Sequence, residues 1–191
     1  GGEAELFLVS VLFEDRPALV LVEGGTAGTS FVAEPTIGAR ATASGELTLD
    51  GARVPFGALL AEGDPTVHAE MIARARIAWS ALAVGAAQSA LDYVIPYVKE
   101  RTAFGESIAT RQGVAFPISN MAIELDGLRL ATWRAAALAD AGKPFTRAAA
   151  IARQLTSRHA LQIGSDAVQL LGGHGYVKEH PVERWYRDLR T

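Results

Sequence analysis

Two polar islands in this 191-residue chain hold the side chains best suited to chemistry. The first, residues 97–112, opens where a long apolar segment turns charged, and it contains Arg101, Phe104 and Gln112. Arginine presents a planar fork of donors that matches a phosphate or pyrophosphate, and a glutamine amide can meet the polar edge of a base. The same residues also suit purely local tasks. A cation near a helix C-terminus complements the dipole, Gly105 can supply a positive φ just beyond, and Gln112 can open a solvated helix. The second island reads Gln169-Leu170-Leu171-Gly172-Gly173-His174-Gly175-Tyr176. Its bare backbone either caps a helix and turns tightly, or lets a phosphate or planar group come close. His174, between two glycines, reads as a turn residue rather than a catalyst. Arg76 lies on an otherwise apolar helical segment, where it either pairs with a carboxylate or waits for an anion, because a buried unpaired cation is costly.

Other chemistries find no foothold. The chain has no HExxH pair, no GxSxG elbow and no P-loop, and its four histidines are scattered, so no metal site is expected. With no cysteine there is no disulfide framework, thiolate nucleophile or cysteine-based metal site, which fits a reducing, cytoplasmic setting. Glu179, Glu183 and Asp188 read as solvent-facing partners of Lys178, Arg184 and Arg187, and none is singled out as a general base. A net charge of -3 with a pI near 5.8 offers no basic face for nucleic acid. The composition, 49% hydrophobic and 20% charged, is that of a globular chain. Residues 77–91 form an uncharged run broken by Ser80, Gly85, Gln88 and Ser89, too short and too polar for a membrane span. The first residues lack the basic start and apolar core of a signal peptide.

The elements that must position these residues divide into two kinds. Residues 1–62 read as β: apolar runs at 6–12 and 18–22 flank the turn residues Glu14-Asp15-Arg16-Pro17, and Asp50-Gly51 signals a hairpin between residues 46–49 and 52–55. Four or five strands make a small sheet, expected to be part of a larger one. Residues 63–191 read as helical. Thr66 is the expected N-cap of a first helix that is apolar nearly all round and kinked at Pro96, with Trp79 read as packed inside rather than facing a substrate cavity, where it would favour short substrates. A second helix places Ile118, Met121, Leu125, Leu128 and Ala135 on one stripe and stops at Ala141-Gly142. A third begins near Phe145, puts Ile151, Leu155, His159 and Ile163 on one side, and ends at Gly172-Gly173. A short amphipathic helix, residues 182–189, follows. The expected fold class is α+β: a partial antiparallel β-domain followed by an all-α, up-and-down, four-helix-bundle-like domain that is one helix short.

Taken jointly, the two islands resemble the acyl-CoA dehydrogenase family. Residues 97–112 match its Arg-x-x-Phe-Gly signature with Ile and Gln at fixed spacing. Residues 169–176 match its Gln-x-x-Gly-Gly-x-Gly-aromatic motif, and Glu179-x-Pro181-Val182-Glu183-x-x-Tyr186-Arg187-Asp188 matches the run that follows. Residues 38–59, including Arg53-Val54-Pro55, resemble the stretch before the family's first long helix. The resemblance implies FAD bound between a β-domain and a helical bundle. It assigns FAD contacts to Arg101, Phe104, Gln112, Gln169, Gly172 and Gly173, the last three commonly across a subunit interface, and places Arg76 near bound acyl-CoA. It further implies a homo-oligomer, dimer or tetramer, and an electron-accepting flavoprotein or other acceptor as partner.

The departures from the family pattern shape the expectation as much. An N-terminal helical domain and the strands that hold the flavin ring would precede Gly1. The usual catalytic glutamate would follow the Arg-Asp pair, beyond Thr191, and the alternative position on the first long helix is Ala75. An acidic position that touches substrate in some members is Ala73. No catalytic base is therefore named, and the expectation is a fragment of an FAD-dependent acyl-CoA dehydrogenase. It would perform α,β-dehydrogenation of an acyl-CoA thioester, with hydride passing to FAD. The alternatives are a non-catalytic subunit completing a partner's FAD site in a hetero-oligomer, and a flavin-dependent monooxygenase of the same architecture.

Overall fold

The computed structural model describes residues 4–191. The chain divides into two compact units, one up to Ala73 and one from Arg74 onward.

The first unit is built from two antiparallel hairpins. Strands β1 (Leu6–Phe13) and β2 (Arg16–Glu23) pair from Leu6↔Glu23 to Phe13↔Arg16, burying Ala18, Leu19, Val20 and Val22 of β2. Only Glu14 and Asp15 form the turn, at φ 49° and 61°. Two successive left-handed residues match the right-handed twist of the flanking strands. Arg16 and Pro17 therefore belong to the strand and not to the turn; proline is tolerated at such a strand start.

The second hairpin pairs β3 (Thr29–Ala33) with β4 (Gly45–Leu49), Thr29 opposite Leu49. The hairpin expected around Asp50-Gly51 does not form. Gly51 does turn, at φ 65°, but the Asp50 N–H donates to the Gly28 carbonyl at 2.8 Å and so continues the β3–β4 pairing. Beyond it, Pro55 brings no N–H to a ladder, and residues 52–55 stay outside any strand. The true partner, β3, begins with Thr29-Ser30 and is too short and polar to announce itself.

Helix α1 (Pro65–Glu100) is capped two residues earlier than expected, at Asp64 rather than Thr66. The Asp64 carboxylate accepts the Thr66 N–H at 2.8 Å, and Pro65 occupies the first helical position, where a missing N–H costs nothing. That backbone bond, with the Thr66 hydroxyl and the charge of Arg16 assisting, holds the Asp64 carboxyl below its ordinary range. The helix runs on through Pro96 to Glu100. It is not buried all round: Trp79 and Leu82 are exposed, so Trp79 does not pack inside.

Helix α2 (Gln112–Asp140) buries Met121, Leu125, Leu128 and Ala135 of the expected stripe, with Ile118 half-buried. Helix α3 (Thr146–Leu171) buries Ala149, Ala152, Thr156, Ala160, Ile163 and Ala167. Ile151, expected on this face, is exposed. Small side chains let α3 lie close to its neighbours, and the Thr156 hydroxyl meets that of Ser80 on α1 at 3.3 Å in the interior. Glu124 of α2 meets His159 of α3 at 2.8 Å, and the short link at residues 141–145 makes the two helices antiparallel. Helix α4 (Val182–Leu189) inserts Val182 and Leu189 into the same core, which α1 joins through Ala87, Leu91, Val94 and Val98. Among the described residues no helix is long and apolar enough to cross a membrane.

Candidate functional site

The C-terminal turns of α1 and α3 bring the two polar islands together. Tyr97 and Arg101 from α1 and its end, Ile108, Gln169, Leu170 and Leu171 from α3, and Gly172, Gly173 and His174 from the following 3-10 turn (Gly172–Tyr176) line one concavity of about 450 Å³. Four of the residues singled out in the sequence, Arg101, Gln169, Gly172 and Gly173, thus share a wall.

The local folding explains this convergence. The Arg101 N–H donates to the Tyr97 carbonyl at 2.9 Å and the Ile108 N–H donates to the Arg101 carbonyl at 2.9 Å, so the chain doubles back after α1. Two short strands, β5 (Thr102–Ala103) and β6 (Glu106–Ser107), make the return, with Phe104 and Gly105 both at positive φ in the turn. The Ser107 hydroxyl sits 3.0 Å from the carbonyls of both Val98 and Lys99, acceptors that the end of α1 leaves without helical partners. Ser107 is not legible as a cap in the sequence, because a cap supplied from a following hairpin has no fixed spacing.

The glycines of the second island do different work. Gly172 lies at φ 59°, ψ -133°, a conformation glycine alone adopts readily, and its N–H donates to the Gln169 carbonyl. A methyl group added at Gly172 or Gly173 would meet open space, whereas one at Gly175 would lie 2.4 Å from the Val168 carbonyl oxygen. Gly175 is thus required for the turn to close on α3, and Gly172 and Gly173 leave the cavity wall bare.

Charge in the cavity is one-sided. Arg101 is the cationic lining residue, no carboxylate lines the wall, and the Arg101 side chain has no hydrogen bond or ion pair among the described residues. Phe104 and Gln112 lie outside the lining set. Phe104 is 92% exposed in the β5–β6 turn, with the Arg111 guanidinium 4.9 Å above its ring, and Arg111 also pairs with Glu106 at 3.3 Å. Gln112 is the exposed first residue of α2.

Arg76 is exposed, so the burial cost suggested by its apolar surroundings does not arise. It stands roughly 37 Å back along α1 from Arg101, at the usual rise per residue. Glu183, expected to face solvent, is half-buried and holds Arg187 at 2.7 Å, a bond that raises the Arg187 pKa further. No group of three or more metal-ligating side chains occurs among the described residues.

Sequence reasoning also missed a cluster beside the cavity. The Tyr97 hydroxyl lies 2.8 Å from His174 Nδ1, and the Tyr93 hydroxyl lies 2.8 Å from His180 Nδ1. The two imidazoles are 5.0 Å apart, and Tyr97 meets both edge-on. The i, i+4 spacing of Tyr93 and Tyr97 was the one available signal, since such residues share a helix face.

The family model described as acyl-CoA dehydrogenase, C-terminal domain, matches residues 65–191. The chain is 41% identical over 161 residues to the short-chain specific acyl-CoA dehydrogenase of Bos taurus mitochondria, spanning 82% of this chain and 39% of that protein. It is 37% identical to the acryloyl-CoA reductase (NADH) of Anaerotignum propionicum, over all of this chain and 50% of the relative. The solved butyryl-CoA dehydrogenase of Megasphaera elsdenii superposes on the whole chain with a TM-score of 0.89 at 30% identity, over 52% of its own length. The chain thus spans two fifths to about half the length of these relatives. Hairpins leading into an α-bundle, two motifs meeting at one cavity, and a family match along the whole bundle lead to one assignment: this chain belongs to the acyl-CoA dehydrogenase family.

Proposed function

We propose that the chain serves as the C-terminal portion of an FAD-dependent acyl-CoA dehydrogenase, and that the cavity between the ends of α1 and α3 takes the diphosphate and adenine end of FAD. The supporting observation is the meeting of Arg101, Gln169, Gly172 and Gly173 on one wall, with the guanidinium unpaired among the described residues. The residues fit the group. The Arg101 fork suits a pyrophosphate, the Gln169 amide can pair with a base edge, and the bare backbone at Gly172 and Gly173 admits a flat or anionic group to contact distance. Phe104, nearly fully exposed, offers a ring face to an adenine, and the exposed Gln112 offers an amide. FAD, when bound, would accept the β-hydrogen of an acyl-CoA thioester as hydride while a carboxylate base takes the α-proton, and the two losses together give a trans-2-enoyl-CoA. We assign Arg76 to the anionic part of the coenzyme A thioester, and we assign no carboxylate of this chain to proton removal.

The substrate to test first is a short-chain acyl-CoA, as the names of the bovine and Megasphaera relatives suggest. The acryloyl-CoA reductase supports a second reading, in which the same site works in the reducing direction on an enoyl-CoA. We further propose a cytoplasmic homo-oligomer, dimer or tetramer, that passes its electrons to a flavoprotein acceptor. Exposed Phe116, Ile123, Leu130 and Trp133 along α2 support assembly, because such a stripe is costly to leave in water.

The test is the flavin content of the complete natural gene product beside its Arg101→Ala variant. Bound flavin in the parent and its loss from the variant are expected. Equal flavin in both would refute the assignment of Arg101, and a parent that never binds flavin would refute the reading as a whole.

A further inference from the structure

The turn that carries Gly172 and Gly173 also carries a histidine held far more firmly than an exposed turn residue needs to be. His174 lines the same cavity as Arg101. Its Nδ1 is 2.8 Å from the Tyr97 hydroxyl, its ring lies 5.0 Å from that of His180 at a tilt of 32°, and Tyr97 meets it edge-on at 90°. His180 is fixed in turn by the Tyr93 hydroxyl at 2.8 Å, and Tyr93 by the edge of Trp185, 5.9 Å between centroids. Aromatic and hydroxyl partners from α1, with Trp185 of α4 behind them, therefore leave the imidazole little freedom to rotate.

Nδ1 is committed to Tyr97, which leaves Nε2 as the free ring nitrogen. The Tyr97 hydroxyl lies 2.8 Å from His174 Nδ1 and 3.4 Å from the Leu171 carbonyl, and the direction of the first bond follows the imidazole tautomer. When Nδ1 accepts from Tyr97 the ring proton sits on Nε2, and an anion beside Nε2 selects that tautomer. In that form His174 offers an N–H donor on the side away from Tyr97, next to a cavity that also holds the Arg101 guanidinium.

We infer that His174 is a further anion-binding residue of this site, donating from Nε2 to a phosphate oxygen of a dinucleotide diphosphate, with Tyr97 as the residue that positions it. This rests on the reading of the cavity as a phosphate site. A donor already clamped in one orientation loses little freedom on binding, so the bond contributes more than a mobile surface histidine would.

The experiment is calorimetric titration of the complete natural gene product, stripped of flavin, with ADP and with adenosine as probes. His174→Ala is expected to weaken ADP about tenfold, the size of one hydrogen bond to a charged acceptor, and to leave adenosine unchanged. His174→Gln, whose amide can place an N–H near the same point, recovers most of that loss. Tyr97→Phe weakens ADP by about threefold through lost orientation. ADP binding equal to the parent's in His174→Ala, or equal weakening of ADP and adenosine, would overturn the inference, and parent-like binding in Tyr97→Phe would remove the positioning role of Tyr97. Arg101→Ala separates the two levels: if it weakens ADP while His174→Ala does not, only the role of His174 falls. If neither variant weakens ADP, the phosphate reading of the cavity falls with it.

Discussion

The Arg111 guanidinium lies 4.9 Å above the ring of Phe104, a residue in the left-handed region at φ 57° and 92% exposed. A side chain that is nearly bare gains nothing from burial within this chain, yet its backbone is strained by about 1–2 kcal/mol. The cation–π contact returns about 0.5–1 kcal/mol. This combination marks a ring displayed for something outside the chain.

Phe104→Gly separates display from folding. The variant relieves the left-handed strain but loses the Arg111 contact and gains freedom in the unfolded chain, worth about 0.5–1 kcal/mol. The opposing changes nearly cancel, so urea unfolding should shift by no more than about 1 kcal/mol. Flavin affinity should fall about tenfold, as loss of a stacking face implies. A large loss of stability with flavin affinity intact would show that the ring serves the fold.

Neighbouring glycines should respond in opposite ways to the same methyl group. At Gly173 the added carbon meets open space, so Gly173→Ala should keep the parent's melting temperature and lose flavin affinity. At Gly175 it would sit 2.4 Å from the Val168 carbonyl oxygen, so Gly175→Ala should lower the melting temperature whether or not flavin is present. Thermal melting of both variants, with and without added FAD, checks the contrast.

The bundle core sets the stability of the site's framework. Leu125 of α2 is 1% exposed and belongs to the cluster that joins α1, α2, α3 and α4. Leu125→Ala should cost about 2–5 kcal/mol, from lost burial and the cavity left behind. Denaturant midpoints of the variant and parent give this number.

How much was legible in advance follows from the range of each interaction. The α2 stripe of Met121, Leu125 and Leu128 was readable because a helical period is local, and the joint spacing of Arg101, Phe104, Gln169 and Gly172 carried the family. Ile151 was misplaced because α3 buries alanines, a threonine and a glycine for close approach, where hydropathy gives little guide. The Asp50-Gly51 turn was visible but its strand partner was not, since pairing is decided by which segment offers free N–H groups. The Tyr97–His174 pair spans 77 positions, and nothing in local pattern connects two such polar residues.

Asp64 predicts a pH dependence at the start of α1. Its carboxyl is held below the ordinary range by the Thr66 N–H, so the folded state favours the ionised form. The stabilisation is present in full above the unfolded carboxyl's pKa of about 3.9 and is lost as pH falls through the lower folded value. Asp64→Ala should melt at a lower temperature than the parent at neutral pH, and the gap should narrow below about pH 4. A gap that stays constant down to strongly acidic pH would show that the carboxylate is not the cap.

The most direct test of the central claim is the visible spectrum of the complete natural gene product during anaerobic addition of a short-chain acyl-CoA. Bleaching of a bound flavin, reversed by the corresponding enoyl-CoA, is the predicted result. A protein that carries no flavin, or whose flavin is neither bleached by acyl-CoA nor reoxidised by enoyl-CoA once reduced, would contradict the account.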